Sequence, residues 1–266
     1  MRLFDWASKN LWLEDVSVYA SSLLNDKTQK RLKKDKPDCW SDNFDWLEQE
    51  HKCAEAEFSD LFSGYYTHVR CFHGGRPIDI GSYIRSGILG QVSNVIEDLF
   101  LQIFSDIPKS SLEQALSEFA TRKVREHGKI WVVLELDELI QHCGHYLIQG
   151  SEYIMALAAS LSRIHPGEDY RLRLRTVGIP TIFEVHVPTS YFSQNEIDAL
   201  ARLVLSEWGQ KISGNHLGMS CSPCLVLHRS IEPEFIAGHT HPSRICDPHF
   251  GNRQYINPSL CCEFCI

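Results

Sequence analysis

The sequence predicts an α+β fold with a helical N-terminal extension, on three observations. Apolar runs of strand length recur from about residue 66 onward. Amphipathic helical patterns lie between them. The two kinds do not alternate strictly, which speaks against a doubly wound parallel sheet. The 266 residues suffice for a sizeable core, and 43% hydrophobic with 23% charged residues is ordinary for a folded chain. The expected organisation is a helical extension over 1–62, an α+β domain over 63–245 and a cysteine-containing tail over 246–266.

Residues 1–60 read as mostly helical. Within them Lys27, Lys30, Arg31, Lys33, Lys34 and Lys36 form a basic stretch, either a solvated face or a contact for phosphate or an acidic partner. Pro37 then ends any helix. A strand is expected over Tyr66 to Phe72, and a helix from Ile78 to Ser86 stopping at an αL Gly87. A second helix runs from about Gln91 to Phe104. Ser110 and Glu113 have capping-box spacing for the next, with Leu112, Ala115, Leu116, Phe119 and Val124 on its apolar side. Ile130 to Leu136 reads as a strand, as does Gly144 to Ile148, followed by a buried helix from Ser151. Tyr170 to Thr176 and Pro180 to Val187 are strand-like. Ser193 and Glu196 open a helix through Trp208, and Cys224 to Leu227 and Glu234 to Ala237 are short strands.

No apolar run approaches the roughly 20 residues a membrane helix needs. The N-terminus lacks the apolar core of a signal peptide, so a cytoplasmic location and no membrane partner are expected. Ten dispersed cysteines then read as reduced thiols. A net charge of −8 opposes tight non-specific binding to nucleic acid, though a local basic patch could still hold it briefly.

Three pieces carry the chemistry. A strand ends in Phe72-His73-Gly74-Gly75 and leads at once into a helix; glycine beside a histidine lets a backbone approach a ligand. Gly144-His145-Tyr146 is followed by Ser151 and an alanine-rich helix. Late in the chain come Cys224 to Leu227 and Ile231 to Ile236. This order resembles the ADP-ribosyltransferase superfamily, in its diphtheria-toxin and poly(ADP-ribose)-polymerase branch, over roughly residues 65–240.

The resemblance implies a split mixed or antiparallel sheet with flanking helices, with 63–245 as the catalytic domain. It implies NAD as co-substrate and transfer of ADP-ribose to a macromolecule, nucleic acid (including RNA) ahead of protein. By it His73 would bind ribose hydroxyls and Gly74 the nicotinamide amide. Tyr146 would stack on the nicotinamide, with Tyr153 a second wall. Gly75, Arg76 and Ser151 would join the cofactor contacts, and Glu234 would stabilise the oxocarbenium-like sugar. Glu184 and Glu152 are rival carboxylates, because Cys224 falls near the place where the branch has its glutamate. A lone domain of this kind resembles the toxins of toxin–antitoxin or phage-defence systems, which implies a cognate antitoxin. The departure at Cys224 keeps two alternatives: an NAD-dependent RNA 2′-phosphotransferase relying on Arg70, Arg76 and Arg85, or an inactive binding domain on the same scaffold.

If Tyr170 to Thr176 is a strand, Arg171, Arg173 and Arg175 line one face, either as solvated charge or as a row of phosphate contacts. Cys221/Cys224 and Cys262/Cys265 have zinc-ligand spacing. His239, His241, Cys246 and His249 are dense in ligand atoms, the basis of a zinc-hydrolase alternative. The simpler expectation is a histidine-rich loop and no metal site.

Overall fold

The structure is a computed structural model that describes residues 1–48, 53–120, 127–217 and 223–265. In chain order its elements are β1 (Leu3–Phe4), α1 (Lys9–Tyr19), α2 (Asp26–Asp35), α3 (Asp45–Glu48), α4 (Ala54–Tyr65), β2 (His68–Gly75), α5 (Ile80–Ser86), α6 (Ser93–Ile103), α7 (Lys109–Glu118), β3 (Ile130–Val133), α8 (Leu136–Gln141), α9 (His145–Ile148), α10 (Glu152–Ile164), α11 (Arg171–Leu174), β4 (Thr181–Pro188), α12 (Gln194–Ser213), β5 (Cys224–Leu227), β6 (Ile236–Thr240), β7 (Arg244–Asp247) and β8 (Arg253–Ile256). The fold is mixed α+β. The main sheet has the order β5-β3-β2-β4-β6, with β1 parallel to β2; the β2–β3 and β4–β6 ladders are antiparallel. Among the described residues no helix is long and apolar enough to cross a membrane.

Two compact units form. The first joins residues 1–70 to 186–225, so the segment carrying α12 folds with the N-terminal helices rather than with the rest of the 63–245 stretch. Its core is aromatic: Phe4 meets Phe62 and Tyr66 edge-on, both at 5.1 Å, and Trp6 stacks on Trp12. Both tyrosine hydroxyls of Tyr65 and Tyr66 donate to Asp15. The α12 helix starts where Ser193 accepts from the Glu196 amide, as its spacing predicts, and buries Trp208. The basic stretch is α2, capped by Asn25 and closed by Lys36 in the left-handed region; Leu32 is buried and Lys30, Lys33 and Lys34 are exposed.

The second unit holds residues 71–185 and 226–266. Phe100, Leu112, Leu157 and Leu161 knit α6, α7 and α10 into one core. Phe72, Val133 and Ile182 of the sheet pack with Leu139, Leu147 and Ile245 in another.

Several elements differ from expectation. Gly144 to Ile148 is not a strand: Leu147 and Ile148 are both fully buried, and a strand would send neighbours to opposite faces. Tyr170 to Thr176 is the helical turn α11, because Tyr170 and Leu174, four apart, are the buried pair. Ser110 does not cap; α7 begins two residues earlier than that cap would set it, at Lys109 after Pro108. Val124 lies outside the described residues. Gly87 closes α5 with φ +79° but ψ −170°, so it is not an αL stop.

Candidate functional site

His73 lies near the C-terminal end of β2, half-buried, and its Nδ1 donates to the Trp131 carbonyl at 2.9 Å. Phe72, the residue before His73, pairs with Val133 in the antiparallel β2–β3 ladder. With its proton on Nδ1, the neutral ring presents Nε2 as an acceptor. Burial holds its pKa below the ordinary histidine value, against an opposing pull from the Trp131 carbonyl. Nε2 lies 3.9 Å from the point where a side chain on Gly75 would begin, so the glycine leaves room beside it. Trp131, on β3, keeps 43% of its surface exposed.

Gly74 faces the other way. The place a Cβ would take is filled by Leu139 Cδ2 at 2.9 Å and Leu147 Cδ2 at 3.3 Å, so packing of α8 and α9 explains this glycine. Tyr146 follows from α9: its ring lies 4.2 Å from that of His145 and its hydroxyl donates to Glu152 Oε1 at 3.1 Å. Glu152 is the first residue of α10 and 51% exposed at its side chain. The structure therefore brings Tyr146 and Glu152 together. Glu234 sits exposed on the 3-10 turn before β6, and Glu184 lies at a register shift opposite Gly238.

Other expected contacts have structural explanations. Tyr153 is no cofactor wall: it is 1% exposed inside the α6–α7–α10 core, with its hydroxyl donating to Glu97. Its place in a helix four residues before Leu157 was the signal. Ser151 caps α10 by accepting from the Ile154 amide. Arg76 donates from Nε to Val177 O at 2.7 Å, from Nη1 to Leu147 O at 3.2 Å, and from Nη2 to Arg175 O. The arginine row dissolves on a helical turn. Arg171 pairs with Asp169, Arg173 with Asp106 and Glu168, and Arg175 with Asp247.

The ligand-rich residues regroup as well. Cys246 donates to Asn252 O, and the His249 ring packs 5.0 Å from His145, so neither joins His239 and His241. Cys224 is exposed at the start of β5 and Cys221 lies outside the described residues. Instead, His239, His241, Cys262 and Cys265 bring one ligand atom each within 4.8 Å of one another.

Both nitrogens of the His145 ring are buried without a hydrogen-bond partner among the described residues. Burial and then the neighbouring His249 push its pKa down to about 4, against opposing pulls from Glu152 and Asp247. A histidine whose folded pKa lies below its unfolded value of about 6.5 stabilises the fold fully above that pH and loses the contribution as pH falls through the window. Urea unfolding is therefore expected to show about 2 kcal/mol less stability at pH 5 than at pH 7 from this group. A His145→Gln variant retaining the same pH slope would show that other groups cause it.

Compared with family models, with curated proteins and with solved structures, the chain finds no match.

Proposed function

We propose that this chain transfers ADP-ribose from NAD to a macromolecular acceptor, with the nicotinamide ribose seated beside His73. The observation that carries the reading is His73 near the end of β2, with its Nδ1 held by the Trp131 carbonyl and its Nε2 beside Gly75. A neutral imidazole with a free acceptor nitrogen suits a ribose hydroxyl, and the open side at Gly75 admits the sugar. In the reaction the C1′–N bond breaks, its electron pair leaves with nicotinamide, and the acceptor nucleophile bonds C1′ and loses its proton. A carboxylate would steady the cationic sugar. Glu152 is the carboxylate we favour, because it is joined to Tyr146, whereas Glu234 stands on an exposed turn.

The exposed lysines of α2 support a nucleic-acid acceptor, and a toxin of this kind would be held by an antitoxin protein. The 2′-phosphotransferase alternative loses support, because Arg70 pairs with Asp5, Arg85 with Asp79, and Arg76 with carbonyls.

NAD labelled in its adenylate phosphate, incubated with cell lysate and the protein, tests this. Label is expected on material destroyed by nuclease and spared by protease. His73→Ala is expected to lower transfer by about 10²-fold in a chain that still folds, its stability reduced only by the lost bond to the Trp131 carbonyl, about 1 kcal/mol. Full turnover in that variant would remove His73 from the site, and no label at all would favour the inactive scaffold.

A further inference from the structure

We propose that His239, His241, Cys262 and Cys265 form a structural zinc site that fastens the C-terminal segment to β6. Two short motifs, far apart in sequence, build it. His239 lies in β6 and His241 one residue beyond its end, with their ring centroids 5.3 Å apart. Cys262 and Cys265 have the spacing of a metal-binding turn, and the Cys265 amide closes that turn on the Cys262 carbonyl at 3.1 Å.

The distances are those of a metal tetrahedron. Zn–S bonds of about 2.3 Å and Zn–N bonds of about 2.0–2.1 Å imply S···S edges of about 3.8 Å and N···S edges of about 3.6 Å. The Cys262–Cys265 sulfurs are 3.7 Å apart, and His239 Nε2 lies 3.3 Å and 3.6 Å from them. A disulfide would need about 2.05 Å.

His241 supplies an independent observation. Its Nδ1 donates to the Pro180 carbonyl at 3.0 Å, which fixes the proton there. Nε2 is then a bare lone pair, buried, with no hydrogen-bond partner among the described residues. A metal-bound histidine usually donates its other ring N–H to a carbonyl in this way, which fixes the tautomer and the ring's orientation toward the metal. Two nitrogens and two sulfurs in a tetrahedron select zinc, and four protein ligands leave no open position for catalysis.

The site also braces the helix that follows His73. Phe264, inside the Cys262–Cys265 turn, lies against α5: its Cζ is 2.8 Å from where a Cβ on Gly81 would sit. Tyr83 of α5 stacks on Phe183 of β4 at 4.7 Å, and Phe183 is the ladder partner of His239. The zinc therefore holds α5 between the sheet and the tail, whatever chemistry occurs at His73.

The test is the metal content of the purified full chain. About one zinc per chain is expected after desalting, released by a thiol-blocking mercurial. Cobalt put in its place is expected to give the visible absorption of a tetrahedral thiolate site. Cys262→Ser, Cys265→Ser and His241→Gln are each expected to lower retained zinc at least tenfold, whereas Cys261→Ser keeps it. Should a ligand variant fail to fold, protection of two thiols from alkylation by zinc in the unaltered chain still reads the site. Sub-stoichiometric zinc, a Cys262–Cys265 disulfide in the intact mass, an octahedral cobalt spectrum, or full zinc retention in a Cys262→Ser/Cys265→Ser chain would each overturn the proposal.

Discussion

Arg76→Lys is expected to destabilise the fold by about 2–3 kcal/mol although it keeps the charge, and Arg76→Ala by about 3–4 kcal/mol. The guanidinium fork reaches three backbone carbonyls, those of Val177, Leu147 and Arg175. These tie the end of β2 to α9 and to the segment after α11. Burial pulls the Arg76 pKa below its usual value, with Tyr255 opposing, so the site is partly dehydrated and a lost donor is not replaced by water at no cost. A lysine ammonium donates from one point and cannot match three acceptors laid out for a planar group. Urea midpoints measure the loss. The same variants separate structural from ligand roles: a contact to NAD would raise KM with an unchanged midpoint, and the hydrogen-bond pattern predicts the reverse.

Gly87→Ala is expected to cost about 3–5 kcal/mol, enough to abolish soluble expression of a marginally stable chain. Two separate causes add. The residue has φ +79°, which disfavours any side chain. A methyl there would also overlap the Ile231 carbonyl oxygen and come within 3.0 Å of its carbon. That carbonyl accepts from the Ile88 amide at 2.8 Å, and Ile231 donates back to Ile88 at 2.9 Å, so relief of the clash breaks a reciprocal bridge. Gly128→Ala is the control: φ is +75° but the space around it is open, so only the backbone strain of about 1 kcal/mol is expected. Equal losses in the two variants would show that the contact at Ile231 contributes nothing.

What the sequence discloses follows from how local the determining force is. Ser151 and Ser193 cap helices where their spacing says, because a cap needs only its own first turn. The strands at His73, Phe183 and Cys224 are legible from apolar runs of the right length. The turns α9 and α11 are not. Each is short, and each is set by which residues a distant element covers: Leu147 by the glycine of β2, Arg175 by Asp247. Arginines that alternate in sequence look like a charged face until their carboxylates, some of them about seventy residues away, come into place. The four-ligand cluster was half visible. The His-x-His and Cys-x-x-Cys pairs are plain in the chain, but their pairing depends on β6 extending to Thr240, beyond the strand expected to end at Ala237.

The first compact unit has a temporal consequence. Its two segments, 1–70 and 186–225, are separated by the whole of 71–185. On a ribosome the aromatic helices emerge early but cannot complete their core until α12 has been made at Ser213. At about 5–20 residues per second that interval is roughly 7–30 seconds, during which α4 lacks the helix it packs against in the finished fold. A nascent chain stalled near residue 180 should thus be a good client for chaperones that hold exposed apolar surface.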